Sequence, residues 1–283
     1  MKSLFAISGL TWLLIGTVPH ATAQEASSLD VDEIVRRANH AAYYQGADGR
    51  ANVQMVITDP SGRERQRRFT ILRRDEPAPD AEDDSLEARS NQQFDERQKF
   101  YLYFHRPADV RKMVYLVHKH LDRDDDRWLY LPDMDLIKRI AAGDKRTSFV
   151  GSDFFYEDVS GRPITDDEHE LVDTTGDYYK LRSTPKRPGE VEFDHYITWV
   201  HRETFLPITT EYHNAEGTKY RQYTALKVER IQGHPTVVQS QMEDLRRGSQ
   251  TVLNYSDVTY DLGVPEDVFT ERHLRRPPMQ WLR

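Results

Sequence analysis

Residues 51–74 read ANVQMVITDPSGRERQRRFTILRR, and this stretch predicts a β-hairpin. Apolar and polar side chains alternate over residues 51–57, which is the period of a strand with one buried face. The sequence DPSG at 59–62 is typical of a tight turn, and residues 65–74 return as a second strand. The stretch therefore indicates antiparallel β-structure in the first third of the chain.

Further strand-like segments, separated by turn residues, follow through the rest of the chain. They are Phe100–Phe104, Met113–Leu121, Trp128–Leu131, Leu136–Ile140, Tyr178–Leu181, Phe193–His201, Ile208–His213, Tyr220–Ile231, Val237–Met242 and Thr251–Tyr260. One amphipathic helix, Asp30–Tyr44, precedes them, because apolar residues recur there on one face at helical spacing. The sequence lacks the alternating long helices of a parallel α/β fold. The pattern predicts a mainly β domain: a barrel, a sandwich or a strongly curled open sheet.

The N-terminus has the features of a secretory signal peptide. An apolar run at residues 4–18 follows Lys2, and Ala21-Thr22-Ala23 supplies the small residues that signal peptidase recognises. The run is shorter than the roughly 20 residues that a membrane-spanning helix needs. We predict cleavage after Ala23, which gives a signal peptide at 1–23, one domain at 24–283 and, in a bacterium, a soluble periplasmic protein. Lipid modification of an N-terminal cysteine is excluded, because the sequence has no Cys.

Composition excludes several classes of function. With 39 Lys and Arg against 47 Asp and Glu, the formal charge of −8 argues against a nucleic-acid-binding protein. The absence of Cys excludes disulfides, thiolate metal sites and cysteine nucleophiles. Sequence motifs for phosphate binding, dinucleotide binding, serine hydrolysis and zinc proteolysis are also absent. His118 and His120 have a usable metal-ligand spacing on one strand face, but a polar outer face is the preferred interpretation. We therefore expect no cofactor, no metal and no catalytic residues.

An acidic segment at 75–97 interrupts the series of strands. It contains nine Asp and Glu residues and two Pro, without a sustained period, and it is typical of a mobile loop. It follows a basic strand that carries six arginines between Arg63 and Arg74. One hypothesis is that the loop screens a basic surface until a partner displaces it. The favoured interpretation is an ordinary solvated loop beside a solvated strand face.

Aromatic residues are concentrated between residues 128 and 162. The strand at 128–131 carries Trp128 and Tyr130 on one face and leucines on the other, so both faces are apolar, as in a strand between a core and a covered cavity. Phe149, Phe154, Phe155 and Tyr156 follow within eight residues. Such a cluster either plugs the end of a barrel or lines an apolar binding site, and the sequence leaves both alternatives open.

Several segments resemble one known family. They are WLYLP at 128–132, KRI at 138–140, GDKRTSFVGSDFFYEDVSGR at 143–162, FHRPADVRKMVYLVH at 104–118, YHNAEGTKYR at 212–221 and VPEDVFTERHL at 264–274. Over Asp30–Leu274 the sequence resembles the periplasmic outer-membrane lipoprotein-sorting proteins, the LolA-like group, and in particular the branch associated with RND-type exporters. The resemblance implies an incomplete, half-open antiparallel β-barrel. An N-terminal helix and short helices or loops would cover its concave apolar face.

The resemblance also implies a function. A LolA-like protein is a non-enzymatic periplasmic carrier or chaperone that binds acyl chains of a lipid or lipoprotein for transfer towards the outer membrane. We expect a monomer that has lipid or lipoprotein acyl chains as its partner, with an inner-membrane RND-type exporter as a possible second partner, and that does not bind nucleic acid. The alternative is an envelope sensor or accessory module that detects lipoproteins and acts through protein–protein contact.

The resemblance assigns candidate site residues within the matching segments. Six aromatic residues are expected to line the hydrophobic cavity: Trp128, Tyr130, Phe149, Phe154, Phe155 and Tyr156. Lys138 and Arg139 are candidates for contact with an anionic headgroup, although a structural ion-pair role is favoured for them. The lipoprotein carrier holds its lid with an arginine on an early strand. Arg63–Arg74 offers several arginines here, and the sequence assigns that role to none of them.

Overall fold

The computed structural model describes residues 29–76 and 97–283, and thirteen strands make up most of that part of the chain. The strands are β1 (Asp48–Thr58), β2 (Glu64–Asp75), β3 (Gln98–Arg106), β4 (Val114–His118), β5 (Asp126–Leu131), β6 (Leu136–Arg139), β7 (Asp167–Thr174), β8 (Tyr178–Pro185), β9 (His195–His201), β10 (Pro207–His213), β11 (Lys219–Ile231), β12 (His234–Asp244) and β13 (Ser249–Tyr260). The helices are α1 (Val31–Tyr43), α2 (Tyr156–Ser160) and α3 (Arg272–Arg275). The predicted signal peptide, with its cleavage site at Ala23, and most of the predicted loop at 75–97 lie outside the described residues.

All thirteen strands form one antiparallel sheet, in the order β6-β5-β4-β3-β2-β1-β13-β12-β11-β10-β9-β8-β7. Neighbours in the sheet follow each other along the chain, except that β1 pairs with β13 and so joins the two halves. Within the described residues, β6 and β7 are the two edges, and the sheet does not close into a barrel. The predicted mainly β fold, an incomplete antiparallel barrel with an N-terminal helix, is confirmed.

The sheet is curled. Strands β2 and β10 lie five steps apart in the order, which would place them roughly 24 Å apart in a flat sheet at about 4.8 Å per step. Phe69 of β2 and Tyr212 of β10 nevertheless line the same cavity. The sheet therefore has a concave face, which encloses the cavity, and a convex face.

The β1–β2 hairpin forms as the sequence predicts. Residues pair in register from Asp48↔Arg74 to Thr58↔Glu64. In the turn, the Asp59 carboxylate accepts hydrogen bonds from the Ser61 hydroxyl and from the backbone N–H groups of Ser61 and Arg63. These bonds lower the pKa of Asp59 to about 2, and the bond from the Ser61 hydroxyl has the largest effect. The carboxylate therefore stays ionised and fixes the turn at neutral pH.

Both faces of the β2–β5 half of the sheet carry apolar cores. On the concave side, Met55, Phe104 and Tyr115 are fully buried under residues 149–156. On the convex side, the C-terminal segment at 262–282 covers the strands. It packs five buried side chains, Val264, Val268, Phe269, Leu274 and Leu282, against Leu72, Tyr101, Leu116 and Trp128. The strands of this half are therefore apolar on both faces, and this removes the strict polar–apolar alternation of a half-exposed strand.

Helix α1 covers the other half of the concave face. Its buried residues Ile34, Val35 and Ala38 pack against Leu181 of β8 and Val200 of β9. The predicted helix at Asp30–Tyr44 is confirmed to within one residue at each end. The apolar stripe of α1 therefore faces the sheet, while Glu33, Arg36 and Arg37 form ion pairs on its outer surface.

The edge strand β7 is absent from the set of predicted strands. Its sequence, DEHELVDT, has four acidic residues and only two aliphatic ones. Charged residues suit an edge strand because they discourage pairing with another chain. Because of these charges, the sequence of β7 lacks the apolar alternation by which the other strands are predicted, and β7 is therefore missing from the predicted set.

Two histidines on the convex side give the fold a pH dependence. His118 Nε2 lies 2.6 Å from the Phe269 carbonyl oxygen, and His105 Nε2 lies 2.8 Å from the Thr70 hydroxyl. Burial lowers the pKa of both histidines. As the pH falls, these histidines therefore gain protons in the unfolded chain at a higher pH than in the folded protein. The free energy of unfolding should fall as the pH drops below about 6.5, and the fall should level off below the folded-state pKa values.

Urea denaturation at pH 7.5, 6.5 and 5.5 would measure this loss, and the double variant His105→Gln/His118→Gln serves as the comparison. We expect a shallower pH dependence in the variant, because two of the groups that gain protons on unfolding are gone. An identical dependence in both proteins would show that other groups control acid sensitivity.

Candidate functional site

A cavity of about 340 Å³ lies within the concave face of the sheet. Strands β1–β3 and β10–β13, the C-terminal end of α1 and residues 149–159 contribute to its wall. The apolar part of the wall includes Met55, Phe69, Leu102, Phe154, Met242 and Leu253. The five of these side chains that lie on strands point inwards because alternate residues of a strand face the same side of a sheet, and Phe154 reaches the cavity from the segment before α2. The cavity can therefore accommodate a hydrocarbon group.

Residues 149–159 form a closing segment at one end of the cavity, and Phe149 is the centre of its aromatic contacts. Its ring lies 5.4 Å from the Tyr115 ring, 5.5 Å from the Tyr156 ring and 6.0 Å from the Phe104 ring, measured between centroids. The Tyr115 hydroxyl donates a hydrogen bond to the Tyr156 carbonyl, at 3.2 Å. Tilted and edge-on aromatic contacts at these distances are favourable. They attach the segment to β3 and β4.

Buried charges also attach the same segment to the loops beside it. Glu157, in α2, forms ion pairs with Arg146 and with Arg162, the latter at 3.5 Å. Burial opposes ionisation of Glu157, but the attraction of Arg146, Arg162 and Lys145 prevails and lowers the pKa of its carboxyl. Arg146 also binds Glu192, at 2.7 Å. Glu157 is therefore a buried anion that depends on surrounding cations.

Arg221 of β11 contacts residues 153–158 of this segment. Its guanidinium lies 3.9 Å from the centroid of the Phe155 ring and donates hydrogen bonds to the Asp158 carboxylate and the Asp153 carbonyl. The Asp153 carboxylate accepts hydrogen bonds from Ser249, at 2.5 Å, and Thr251, at 2.7 Å, both on β13. Asp153 and Asp158 therefore have structural partners on the sheet.

Three arginines of β2 hold the elements that cover the cavity. Arg67 Nε donates to the Val150 carbonyl at 3.1 Å, and Arg65 Nη2 donates to the Gly151 carbonyl at 3.3 Å. Arg73 donates to the carbonyls of Tyr43, Gln45 and Gly46 at the end of α1, at 2.7–3.0 Å. Alternation along β2 places all three side chains on the concave side.

Tyr43 reaches the cavity only because residue 161 is a glycine. A Cβ at Gly161 would lie 2.8 Å from the Tyr43 ring, which is closer than van der Waals contact permits, and Gly161 has a φ of +78°. Both the space and the backbone conformation therefore require glycine at the end of α2.

The structure separates the six aromatic residues that the sequence predicts for the cavity. Phe149 and Phe154 line it. Tyr156 packs into the core beneath the closing segment, and Phe155 lies against the guanidinium groups of Arg146 and Arg221. Trp128 and Tyr130 lie on the convex face, in or against the core under the C-terminal segment.

The two candidate headgroup residues lie on the edge strand β6, and both are exposed. Arg139 pairs with Asp126 and lies 5.6 Å from the centroid of the Trp128 ring. Neither Lys138 nor Arg139 lines the cavity. Phe149 and Phe154 line the cavity and these two residues do not, although all four belong to one stretch of sequence.

The cavity wall also contains tyrosines that sequence reasoning missed. Tyr43, Tyr212, Tyr223 and Tyr255 line it, and Ser240 lies among them. They come from α1, β10, β11, β13 and β12, so no local cluster marks them in the sequence. Alternation along each strand assigns each residue to a face, but only the pairing of distant strands shows that these faces meet.

The described residues give no indication of a metal centre or a membrane-spanning helix. No group of three or more His, Asp or Glu side chains there is arranged to hold a metal ion. His120, one of the two histidines with metal-ligand spacing, binds Asp126 at 3.0 Å instead. No described helix is long and apolar enough to cross a membrane.

Comparison with known families matches both halves of the chain. The sequence profile of the DUF1329 family, described as a protein of unknown function, matches residues 20–163, just over half of the chain. A second profile, described as an uncharacterized protein, matches residues 96–276. No curated protein matches the sequence.

Solved structures share the fold over most of the chain. A DUF1329 family protein from Desulfovibrio piger is 27% identical, with a TM-score of 0.73, and 86% of this chain and 97% of that chain are covered. A putative outer membrane lipoprotein-sorting protein domain from Vibrio parahaemolyticus is 23% identical with the same coverage and a TM-score of 0.72. A LolA superfamily protein from Nitrosomonas europaea is 19% identical, covers 87% of this chain and 100% of that chain, and has a TM-score of 0.63. The chain therefore belongs to the DUF1329 family and has the LolA-like fold that its sequence resembles.

Proposed function

We propose that the protein is a non-enzymatic carrier that binds acyl chains of a lipid or lipoprotein in its cavity and moves them through the periplasm. The apolar cavity under the curled sheet is the observation that carries this proposal. Its volume of about 340 Å³ falls within the range of roughly 300–1,000 Å³ typical of small-molecule sites. Burial of a hydrocarbon chain contributes about 0.8 kcal/mol per methylene, which offsets removal of the chain from a bilayer.

The contacts between β2 and residues 150–151, beside the cavity, support this proposal. Residues 149–151 are held to β2 by hydrogen bonds from Arg65 and Arg67 to backbone carbonyls. Hydrogen bonds from a charged guanidinium contribute about 1.5–3 kcal/mol each, which is small enough for them to break and form again as a ligand enters. Arg67 is buried whereas Arg65 is exposed, and we propose Arg67 for the lid-holding role that the resemblance implies.

Export and partners belong to the same proposal. A signal peptide cleaved after Ala23 would deliver a single domain at 24–283 to the periplasm as a monomer. The similar fold of a putative outer membrane lipoprotein-sorting protein domain supports this location and a lipid or lipoprotein as partner. An RND-type exporter in the inner membrane would act as donor or acceptor.

A bulky side chain in the cavity should weaken ligand binding. Leu253 of β13 lines the cavity, and Leu253→Trp places an indole there, so we expect binding of a fluorescent fatty-acid analogue to weaken by about tenfold or more, equivalent to 1.4 kcal/mol. Titration of the delipidated protein measures this affinity. Val252→Trp is the matched control, because the neighbouring half-buried residue faces the other side of the same strand. Failure of the wild-type protein to bind either this analogue or a neutral apolar dye would refute the proposal.

A transfer assay separates carriage from sensing. Protein loaded with labelled lipid is mixed with acceptor vesicles, and a carrier is expected to release its ligand to them. Saturable binding without transfer, together with ligand-dependent binding to an envelope protein, would instead support the sensor or accessory role.

A further inference from the structure

A cluster of hydroxyl groups lies in the otherwise apolar wall of the cavity. It consists of Tyr43, Tyr212, Tyr223, Tyr255 and Ser240, and all five residues line the cavity. The Ser240 side chain lies beside those of Tyr223 and Tyr255, close enough for its hydroxyl to interact with theirs. Strand register explains this contact. Ser240 pairs with Ala225 on β11 and with Leu253 on β13. Tyr223 lies two residues before Ala225 and Tyr255 two residues after Leu253, so the two tyrosines flank Ser240 diagonally on the same face of the sheet.

Two hydroxyls of this cluster are available to a ligand. Those of Tyr43 and Tyr212 have no hydrogen-bond partner among the residues that the structure describes, and both side chains are only half-buried because they line the cavity. A tyrosine hydroxyl can both donate and accept a hydrogen bond. A polar ligand group that leaves water to enter the cavity recovers its hydrogen bonds only from such partners.

The electrostatic surroundings of the cluster favour an uncharged ligand group. The Asp158 carboxylate lines the cavity beside the tyrosines. Burial, together with this carboxylate, raises the pKa of Tyr43 and raises that of Tyr212 to about 12. Both hydroxyls are therefore neutral at physiological pH. The charge of Asp158 is already paired with the Arg221 guanidinium, so this part of the wall offers a ligand neutral hydroxyls rather than a free charge.

The two cationic residues of the described wall are already engaged elsewhere. Arg73 donates hydrogen bonds to three backbone carbonyls and to the Asp75 carboxylate, at 2.7–3.0 Å. Arg50 donates to the Arg283 carbonyl, at 2.7 Å, so its guanidinium points to the C-terminus. An anionic headgroup in the cavity would lack a free cation, and burial of an unpaired carboxylate is costly.

We infer that the cavity binds a single-chain amphiphile with an uncharged hydroxyl headgroup, such as a long-chain alcohol or a monoacylglycerol, in preference to a fatty acid carboxylate of equal chain length. This inference rests on the proposed function and narrows its ligand class. A single chain fits the cavity volume of about 340 Å³, which is near the lower limit for small-molecule sites. The apolar wall holds the chain, and the hydroxyls of Tyr43 and Tyr212 hold the headgroup.

Competition for a neutral fluorescent ligand, phenylnaphthylamine, tests this inference. Protein purified from the periplasm of an expression host is delipidated and titrated at pH 7.5 with dodecanol or dodecanoate, both below the concentration at which they aggregate. We expect dodecanol to displace the dye with an inhibition constant at least about tenfold lower than that of dodecanoate. Equal or stronger displacement by dodecanoate overturns the inference and leaves the carrier proposal intact. Absence of dye binding and of displacement by both compounds overturns both.

Substitutions locate the source of the preference. The double variant Tyr43→Phe/Tyr212→Phe should reduce the advantage of dodecanol to about threefold or less, because it removes the two free hydroxyls and keeps the rings. Tyr130→Phe is the matched control, since Tyr130 lies on the convex face and donates to Asp135. Circular dichroism verifies that each variant is folded. Retention of the full preference in the folded double variant would assign headgroup recognition to other residues and overturn this part of the inference.

Discussion

Replacement of Glu157 by alanine should lower the free energy of unfolding by about 3–5 kcal/mol. The carboxylate is 2% exposed and lies among Arg146, Arg162 and Lys145. Without it, these cations remain in a largely buried site with fewer anions, and removal of one partner from such a site costs more than the pair contributes. Chemical denaturation at pH 7 measures the change.

An exposed ion pair provides the control for this prediction. Glu190 lies 3.0 Å from Arg187, and both side chains are more than half exposed, so Glu190→Ala should cost less than about 1 kcal/mol. Equal losses in the two variants would show that water reaches Glu157 in solution. The low pKa of Glu157 also sets a direction with pH: the contribution of its charge is present at neutral pH and is lost as acid protonates the folded carboxyl.

Local periodicity predicted the parts of the fold that depend on neighbouring residues. The helix α1 and the β1–β2 hairpin follow from apolar spacing and from the turn at Asp59, and both are present. The edge strand β7 escaped because its charges lack an apolar period. The resemblance to LolA-like proteins supplied the openness of the barrel, which strand patterns alone left undecided between three architectures.

The site was less predictable than the fold, because its composition depends on contacts between distant segments. Alternation correctly places Trp128 and Tyr130 on one face of β5 and Leu129 on the other. Which face encloses the cavity depends on the C-terminal segment, which returns more than 130 residues later to cover the convex side. Both faces of β5 are therefore apolar, and composition alone cannot distinguish them.

The closing segment shows the same limitation at shorter range. Phe154 lines the cavity whereas its neighbour Phe155 lies against Arg221, a residue of β11. A count of aromatic residues treats the two as equivalent. The position of Arg221 decides between them, and the sequence gives no local sign of that contact.

Phe149→Ala and Trp128→Ala should destabilise the protein to a similar extent and affect ligand binding differently. Each side chain is at least 92% buried, and truncation of a buried aromatic residue to alanine costs about 3–5 kcal/mol. Phe149 lines the cavity and packs against Tyr115 and Tyr156, whereas Trp128 packs on the convex side. Thermal and chemical denaturation should therefore show large losses for both variants.

Ligand titration distinguishes the two sides of the sheet. Loss of the Phe149 ring enlarges the cavity, so the chain length that binds most tightly should increase in Phe149→Ala, because a longer chain fills the added volume. Trp128→Ala should retain the chain-length preference of the wild-type protein and an affinity within about twofold, when measured well below its unfolding temperature. A change of preference in Trp128→Ala without one in Phe149→Ala would place the ligand on the convex face, beneath the C-terminal segment. The concave cavity would then be a packing feature of the curled sheet.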